Sequence, residues 1–264
     1  MRCKSAINKL LLVIERDVRI FFQYKFLIIM RAIWFVSQIA LFGLIASRMI
    51  NVDAVEDYFR YYVGGLSVMT LYSAAIFIGF DLYEEAEHGV FEYLLSLPVS
   101  RRQLVLGRSI GGGLRSFIYV GPLIALSLYV IGAINPVSFL ISLFALFLFA
   151  FGVSGMSITI AVIIKSSDRF DILMGILDAL IVRLSTAMYP LAIVQASSPL
   201  YGGVANFNPV TYAADLFRWG TGIETIITQQ NPLMPLLGII AFFSFFTFVG
   251  VVIYDKRIEG GGWQ

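Results

Sequence analysis

Apolar residues along this chain fall into long unbroken blocks, and six of them approach the roughly 20 residues needed to cross a bilayer as a helix. They run from about Phe26 to Ser47, Tyr61 to Phe80, Ile110 to Ile134, Val137 to Ile164, Phe170 to Ile193 and Leu233 to Tyr254. The fifth block is the least clean, because Asp178 and Arg183 lie within it. Strands of a membrane barrel would instead show about 10 residues of alternating character. The pattern predicts an all-α integral membrane fold of six transmembrane helices. The stretches between the blocks are too short for a soluble domain, so residues 1–264 read as a single transmembrane domain.

Three segments outside the blocks carry their own pattern. In residues 1–25, Ile7, Leu10, Leu11, Ile14, Val18, Phe21 and Phe22 recur at helical spacing. This predicts an amphipathic helix in the membrane interface, with Lys9, Arg16, Arg19 and Lys25 available to lipid phosphates. The apolar stretch stops at Glu15 and Arg16 without a small-residue cleavage pattern, which argues against a signal peptide. Anchoring accounts for such a helix, and a role in transmitting motion is the other reading.

The second segment, Glu84 to Arg108, places charges between two spanning blocks. Val90, Tyr93, Leu94 and Leu97 share one side of a short helix, Phe91 and Leu95 flank it, and Pro98 stops it. Ser100 and Gln103 form a capping box that opens the next helix, along which Arg101, Arg108 and Arg115 recur every seven residues. Gly111, Gly112 and Gly113 follow, and permit either a tight helix contact or a hinge. The third segment, residues 195–231, is broken by Pro199, Gly202, Gly203, Pro209, Gly220 and Gly222. It reads as short re-entrant helices forming an outer gate, with an ordinary loop bearing interfacial Tyr201, Tyr212 and Trp219 as the alternative.

Composition agrees with a membrane class: 59% of residues are hydrophobic and 14% charged, against roughly 45–50% and 25% in soluble domains. The single cysteine, Cys3, excludes an intramolecular disulfide, and with one histidine, His88, there is no basis for a metal site. The net charge of +2 suggests no nucleic-acid surface. With six spans and a cytoplasmic amino terminus, 15 of the 19 lysines and arginines fall on the inside, leaving Arg48, Arg60 and Arg218 outside and Arg183 within a span. By the positive-inside rule both termini and the 84–108 segment face the cytoplasm. Asp178 and Arg183 are costly in an apolar run unless they face a cavity or a partner. At 100° per residue, five residues separate them by about 140°, poorly placed for direct pairing. They belong either to a translocation pathway or subunit interface, or to structural bonds with Gln38, Ser154 or Thr159 on other spans.

Two motifs resemble those of the type-2 ABC exporter permeases. Glu87, Gly89, Glu92, Leu94, Leu95, Pro98, Val99, Ser100 and Arg101 are similar to the family's stretch between its second and third spans. Asn208, Pro209, Thr211, Tyr212, Ala213 and Arg218 are similar to its N-P-x-T-Y-A motif followed by arginine, preceded by Ser185 and Pro190. The resemblance implies that residues 84–100 form a coupling helix docking on a separate ABC ATPase subunit. Residues 195–231 would be the extracellular re-entrant region, and two permease copies would pair, as a homodimer or a heterodimer. Glu87, Gly89, Val90, Phe91, Glu92, Leu94, Leu95, Pro98 and Arg101 become the candidate coupling residues, with Val90, Phe91, Leu94 and Leu95 in apolar contact with the ATPase and Glu87 and Glu92 setting charge complementarity. Gly107 and Gly112 are followed by Gly113 where a phosphate loop needs lysine. No catalytic residue or bound cofactor is therefore expected in this chain, with ATP and Mg²⁺ on the partner. The expected function is a permease in a prokaryotic cell membrane, exporting a lipid-like, drug-like or glycan substrate. A secondary transporter driven by an ion gradient is the alternative, although inverted repeats are not evident.

Overall fold

The computed structural model of the protein describes residues 2–23, 25–43, 45, 57–132, 135–223 and 225–257. Ser47, Arg48 and Ile134 lie outside the described residues, as do the side chains of Arg2, Cys3, Lys4, Ile7, Phe21, Arg31 and Arg257.

Described secondary structure is helical throughout. An amino-terminal helix α1 (Arg2–Phe21) precedes α2 (Lys25–Ser37), which continues into a π-helical stretch, Gln38–Gly43. Helix α3 (Tyr58–Glu87) is followed by the short α4 (Val90–Ser96), and then by α5 (Arg101–Ile131) and α6 (Pro136–Ile164). Next come α7 (Ser167–Leu177) with a π-helical turn at Asp178–Val182, and four short helices: α8 (Leu191–Ser197), α9 (Pro199–Asn206), α10 (Pro209–Gly220) and α11 (Ile226–Gln230). Helix α12 (Leu233–Arg257) closes the described chain.

Four of these helices, α3, α5, α6 and α12, are long and apolar enough to cross a membrane. The fifth apolar block departs from expectation: Phe170 to Ile193 is not one helix. It is helical to Val182, irregular through Pro190, and helical again from Leu191.

Helix α6 is the hub, packed against α3, α5, α10 and α12. Lipid tails are as apolar as leucine, so close backbone approach and interhelical hydrogen bonds, at roughly 1 kcal/mol each, must hold such helices together. Both are present. Ser154 and Ser157 on α6 donate to the Ala75 and Ile76 carbonyls of α3 at 3.3 and 2.6 Å. The three glycines of α5 lie in tight contacts: a Cβ on Gly112 would sit 2.9 Å from Ser154 Oγ, and one on Gly113 2.9 Å from the Phe151 backbone. Helix α5 runs unbroken through them.

Helix α1 packs along α5, where a Cβ on Gly107 would meet Val13 and one on Gly111 would meet Asp17. Two of its cations meet other parts of the chain, Lys9 donating to the Pro98 carbonyl and Arg16 bonding Glu85, while the exposed Arg19 pairs with Glu15 one turn earlier on the same helix.

Candidate functional site

Two clusters at opposite ends of α3 contain the motif residues. At its carboxyl end the helix stops at Glu87, and Gly89, with φ of +68°, turns the chain into α4. A left-handed backbone favours glycine because it lacks a Cβ. The turn sets the face of α4. Phe91 and Leu94 point inward, Phe91 fully buried with its ring centroid 6.3 Å from that of Tyr254 on α12. Their expected place on an outward docking face is thereby corrected: they anchor α4 to its own chain. Glu87, Gly89, Glu92 and Tyr93 are exposed, Tyr93 at 64%, while Val90, Leu95 and Arg101 are half-buried. Pro98 is exposed and ends the segment, and Ser100 caps α5 through the Gln103 N–H at 3.3 Å, with the Gln103 side chain accepting from the Ser100 N–H at 3.1 Å.

Beneath α4 lies an ionic network that the sequence left unpaired. Glu85 bridges Arg16 of α1, at 2.7 Å, and Arg108 of α5, which is fully buried. One helical turn earlier Asp81 pairs with Arg115. The signal was legible in the spacing: acids four apart on α3 face arginines seven apart on α5, the same-face intervals of helices. Asp17 of α1 completes the cluster, 3% exposed and 3.2 Å from Arg16 Nη1. Burial pushes its carboxyl up to about 6, against the pull of Arg108 and Arg16.

At the amino end of α3 the second motif has a structural role. Beyond Val182 the chain unwinds, and carbonyls that leave a helix at membrane depth must find donors within the protein. Asn208 Nδ2 donates to the Ile181 carbonyl at 2.6 Å, while its Oδ1 caps α10 by accepting from the Val210 N–H at 2.9 Å. Pro209 occupies the first turn of α10, where no N–H partner is needed. Thr211 Oγ1 accepts from the Thr186 N–H at 3.0 Å, and the Tyr212 ring fills the space a Cβ on Gly238 of α12 would enter. Arg218, expected among the outer charges, is fully buried. Its guanidinium donates to the carbonyls of Tyr61, Thr186 and Ala187 at 3.1, 3.1 and 2.8 Å and pairs with Asp215 at 3.1 Å. Tyr58 and Tyr61 add hydroxyl donors to Met188 and Thr186, both at 2.8 Å. The sequence offered no signal for those tyrosine bonds, which join residues more than 120 positions apart.

Asp178 and Arg183 also differ from expectation. The π-helical turn lets the Arg183 N–H bond the Asp178 carbonyl five residues back, at 3.2 Å, and brings Arg183 Nε to 3.7 Å from Asp178 Oδ2. The wider turn removes the angular separation a regular helix would impose. Gln38, Ser154 and Thr159 bond elsewhere, to Tyr62, Ala75 and Gly155.

Among the described residues, no three histidine, cysteine, aspartate or glutamate side chains gather as a metal site. The family model of the ABC-2 type transporter matches residues 8–221. The chain belongs to that family. The permease also resembles a protein of Cyanophora paradoxa, "Putative transport permease ycf38", at 23% identity over 189 residues, covering 71% of this chain. The chain spans 63% of that relative's length. ABC-2 permeases are multi-pass membrane components that work with ATPase subunits.

Proposed function

We propose that this ABC-2 permease is the membrane subunit of an ATP-driven exporter in a prokaryotic cell membrane, spanning it six times with both termini cytoplasmic. A second copy, or a related permease, pairs with it, and a separate ABC ATPase docks on α4. The observation that supports docking most directly is the end of α3. There Glu87 at the end of α3 and Glu92 and Tyr93 on α4 stand exposed, with α4 anchored through Phe91 and Leu94, while Glu85, two residues before Glu87, is held by Arg16 and Arg108. A rigidly anchored helix with a polar and aromatic outer face suits a protein partner, since tyrosine is enriched at interfaces and charges there set complementarity. Helices α2 and α7 supply the remaining two crossings of this reading, with Asp178 and Arg183 at the pathway or the subunit interface.

ATP as the energy source is separable from an ion gradient. In inside-out vesicles bearing the permease and its copurifying ATPase, uptake of exported substrate should require ATP and survive a protonophore. Uptake that follows an imposed ion gradient without ATP would point to a secondary transporter instead.

A further inference from the structure

Helix α1 lies along α5 in a seam of close contacts, fastened at both ends. Lys9 donates to the Pro98 carbonyl just beyond α4, and Arg16 bonds Glu85 near the end of α3. Between them Val13 covers Gly107 of α5. Asp17 comes next on this face, its Cβ and Oδ2 each 3.1 Å from the point where a Cβ on Gly111 would stand. The carboxyl is wedged against the α5 backbone.

Asp17 is poorly supplied with donors. Glu85 takes both nearby arginines, Oε1 accepting from Arg16 Nη2 and Oε2 from Arg108 Nη1. Asp17 Oδ1 accepts only from Arg16 Nη1, at 3.2 Å. Among the described residues its Oδ2 has no donor, and Nε and Nη2 of Arg108 have no acceptor, although all three atoms are buried. Arg108 therefore attracts Asp17 without bonding it, Arg115 attracts it more weakly, and Glu85 repels it. A buried carboxyl in this position is costly when charged and far cheaper when it holds a proton. Beside it opens a cavity of about 280 Å³, lined also by Asp81, Glu84 and His88 of the α3 end. An ionised Asp17 is better hydrated on the cavity side than against Gly111, and α1 must move for it to get there. The arrangement packed on Gly111 thus binds the proton more tightly than the moved one, and by linkage rising pH favours movement.

We infer that α1 is a proton-controlled strap: protonated Asp17 holds it against α5, and loss of that proton lets it swing off Gly111. Since Lys9 ties the same helix to Pro98, release of α1 alters the support behind α4. The strap operates in this chain alone, so its failure leaves ATPase docking standing, and failed docking leaves the strap standing. Spin labels on Leu12→Cys of α1 and Ile163→Cys of α6, both exposed positions, report the separation of the two helices by pulsed electron paramagnetic resonance. The permease is studied in nanodiscs at pH 4, 5, 6 and 7, with Cys3→Ser removing the native thiol. The ratio of displaced to packed α1 should rise about tenfold or more across the series. Asp17→Asn, neutral at every pH, should stay packed throughout, and His88→Gln should respond like wild type. Gly111→Ala, which crowds Asp17, should show displaced α1 already at pH 4 and serves as the check if Asp17→Asn folds poorly. A separation independent of pH would overturn the assignment. So would a displaced fraction that falls as pH rises, the result if ionised Asp17 bonded Arg108 in place, a response that survives in Asp17→Asn, one abolished in His88→Gln, or a Gly111→Ala chain that stays packed at pH 4.

Discussion

Arg218 stacks on Tyr61: its guanidinium carbon lies 3.4 Å from the ring centroid, while Nε donates to the Tyr61 carbonyl at 3.1 Å. The pair joins α10 to the first turn of α3, and the same arginine holds the unwound chain at Thr186 and Ala187. Arg218→Ala leaves Asp215 buried without its cation and should cost roughly 3–5 kcal/mol. Arg218→Lys retains charge but not the planar fork and should recover only part of this. Tyr61→Phe loses the hydroxyl that donates to the Thr186 carbonyl at 2.8 Å and, more weakly, to that of Tyr189 at 3.4 Å, and should cost about 1 kcal/mol. Thermal unfolding in nanodiscs ranks the three, and an Arg218→Lys variant as stable as wild type would contradict the role given to the fork.

Close approach at Gly65 admits a paired test. A Cβ there would overlap the Ala187 carbonyl and Arg218 Nη2, whereas one on Gly203 meets nothing within 4 Å. Gly65→Ala should abolish folded expression or shift the 186–190 chain. Gly203→Ala should be neutral or slightly stabilising, since alanine is favoured over glycine in a helix by up to about 1 kcal/mol. Size-exclusion profiles of the two variants read the difference directly.

The Ser100–Gln103 box, the Pro98 stop and four of the spanning helices were legible because capping, proline geometry and apolar length are local properties. Two features depended on backbone choices that composition does not encode. The inward turn of Phe91 follows from the left-handed Gly89, and the approach of Asp178 to Arg183 follows from a π-helical turn. The fifth block read as a span because its residues are apolar. It breaks where Asn208, Thr211 and Arg218, 25 to 32 residues downstream of their partners, supply bonds for an unwound chain. Motif residues were identified at the sequence level, but their partners are long-range.

Asp17 predicts a pH dependence. Its carboxyl titrates near pH 6 in the folded chain and near 3.8 when unfolded. Between those values the folded state holds the proton and the unfolded state does not, so Asp17's contribution lowers stability as pH rises from about 4 to about 6. Asp17→Asn should remove that decline, so the variant gains relative to wild type as pH increases through this window. Denaturation midpoints at pH 4, 5, 6 and 7 provide the check, and a constant difference across the series would refute the assignment.

Glu85 and Glu87 stand two residues apart with opposite expectations. Glu85→Gln strips buried Arg108 of its carboxylate and should destabilise by roughly 3–5 kcal/mol, as breaking a buried pair does. Glu87→Gln, at an exposed position, should change stability by no more than about 0.5 kcal/mol. Unfolding curves that treat the two alike would contradict the network.

In the proposed function the exposed face of α4 receives the ATPase. The most direct measurement is the ATPase affinity of nanodisc-embedded permease carrying Glu92→Lys and Tyr93→Ala, two exposed positions whose loss should leave the fold intact. Unfolding temperatures should be unchanged from wild type, ATPase binding weakened about tenfold or more, as expected when an aromatic anchor and a complementary charge are lost together, and ATP-driven transport reduced in parallel. Wild-type affinity and transport in a correctly folded variant would contradict it.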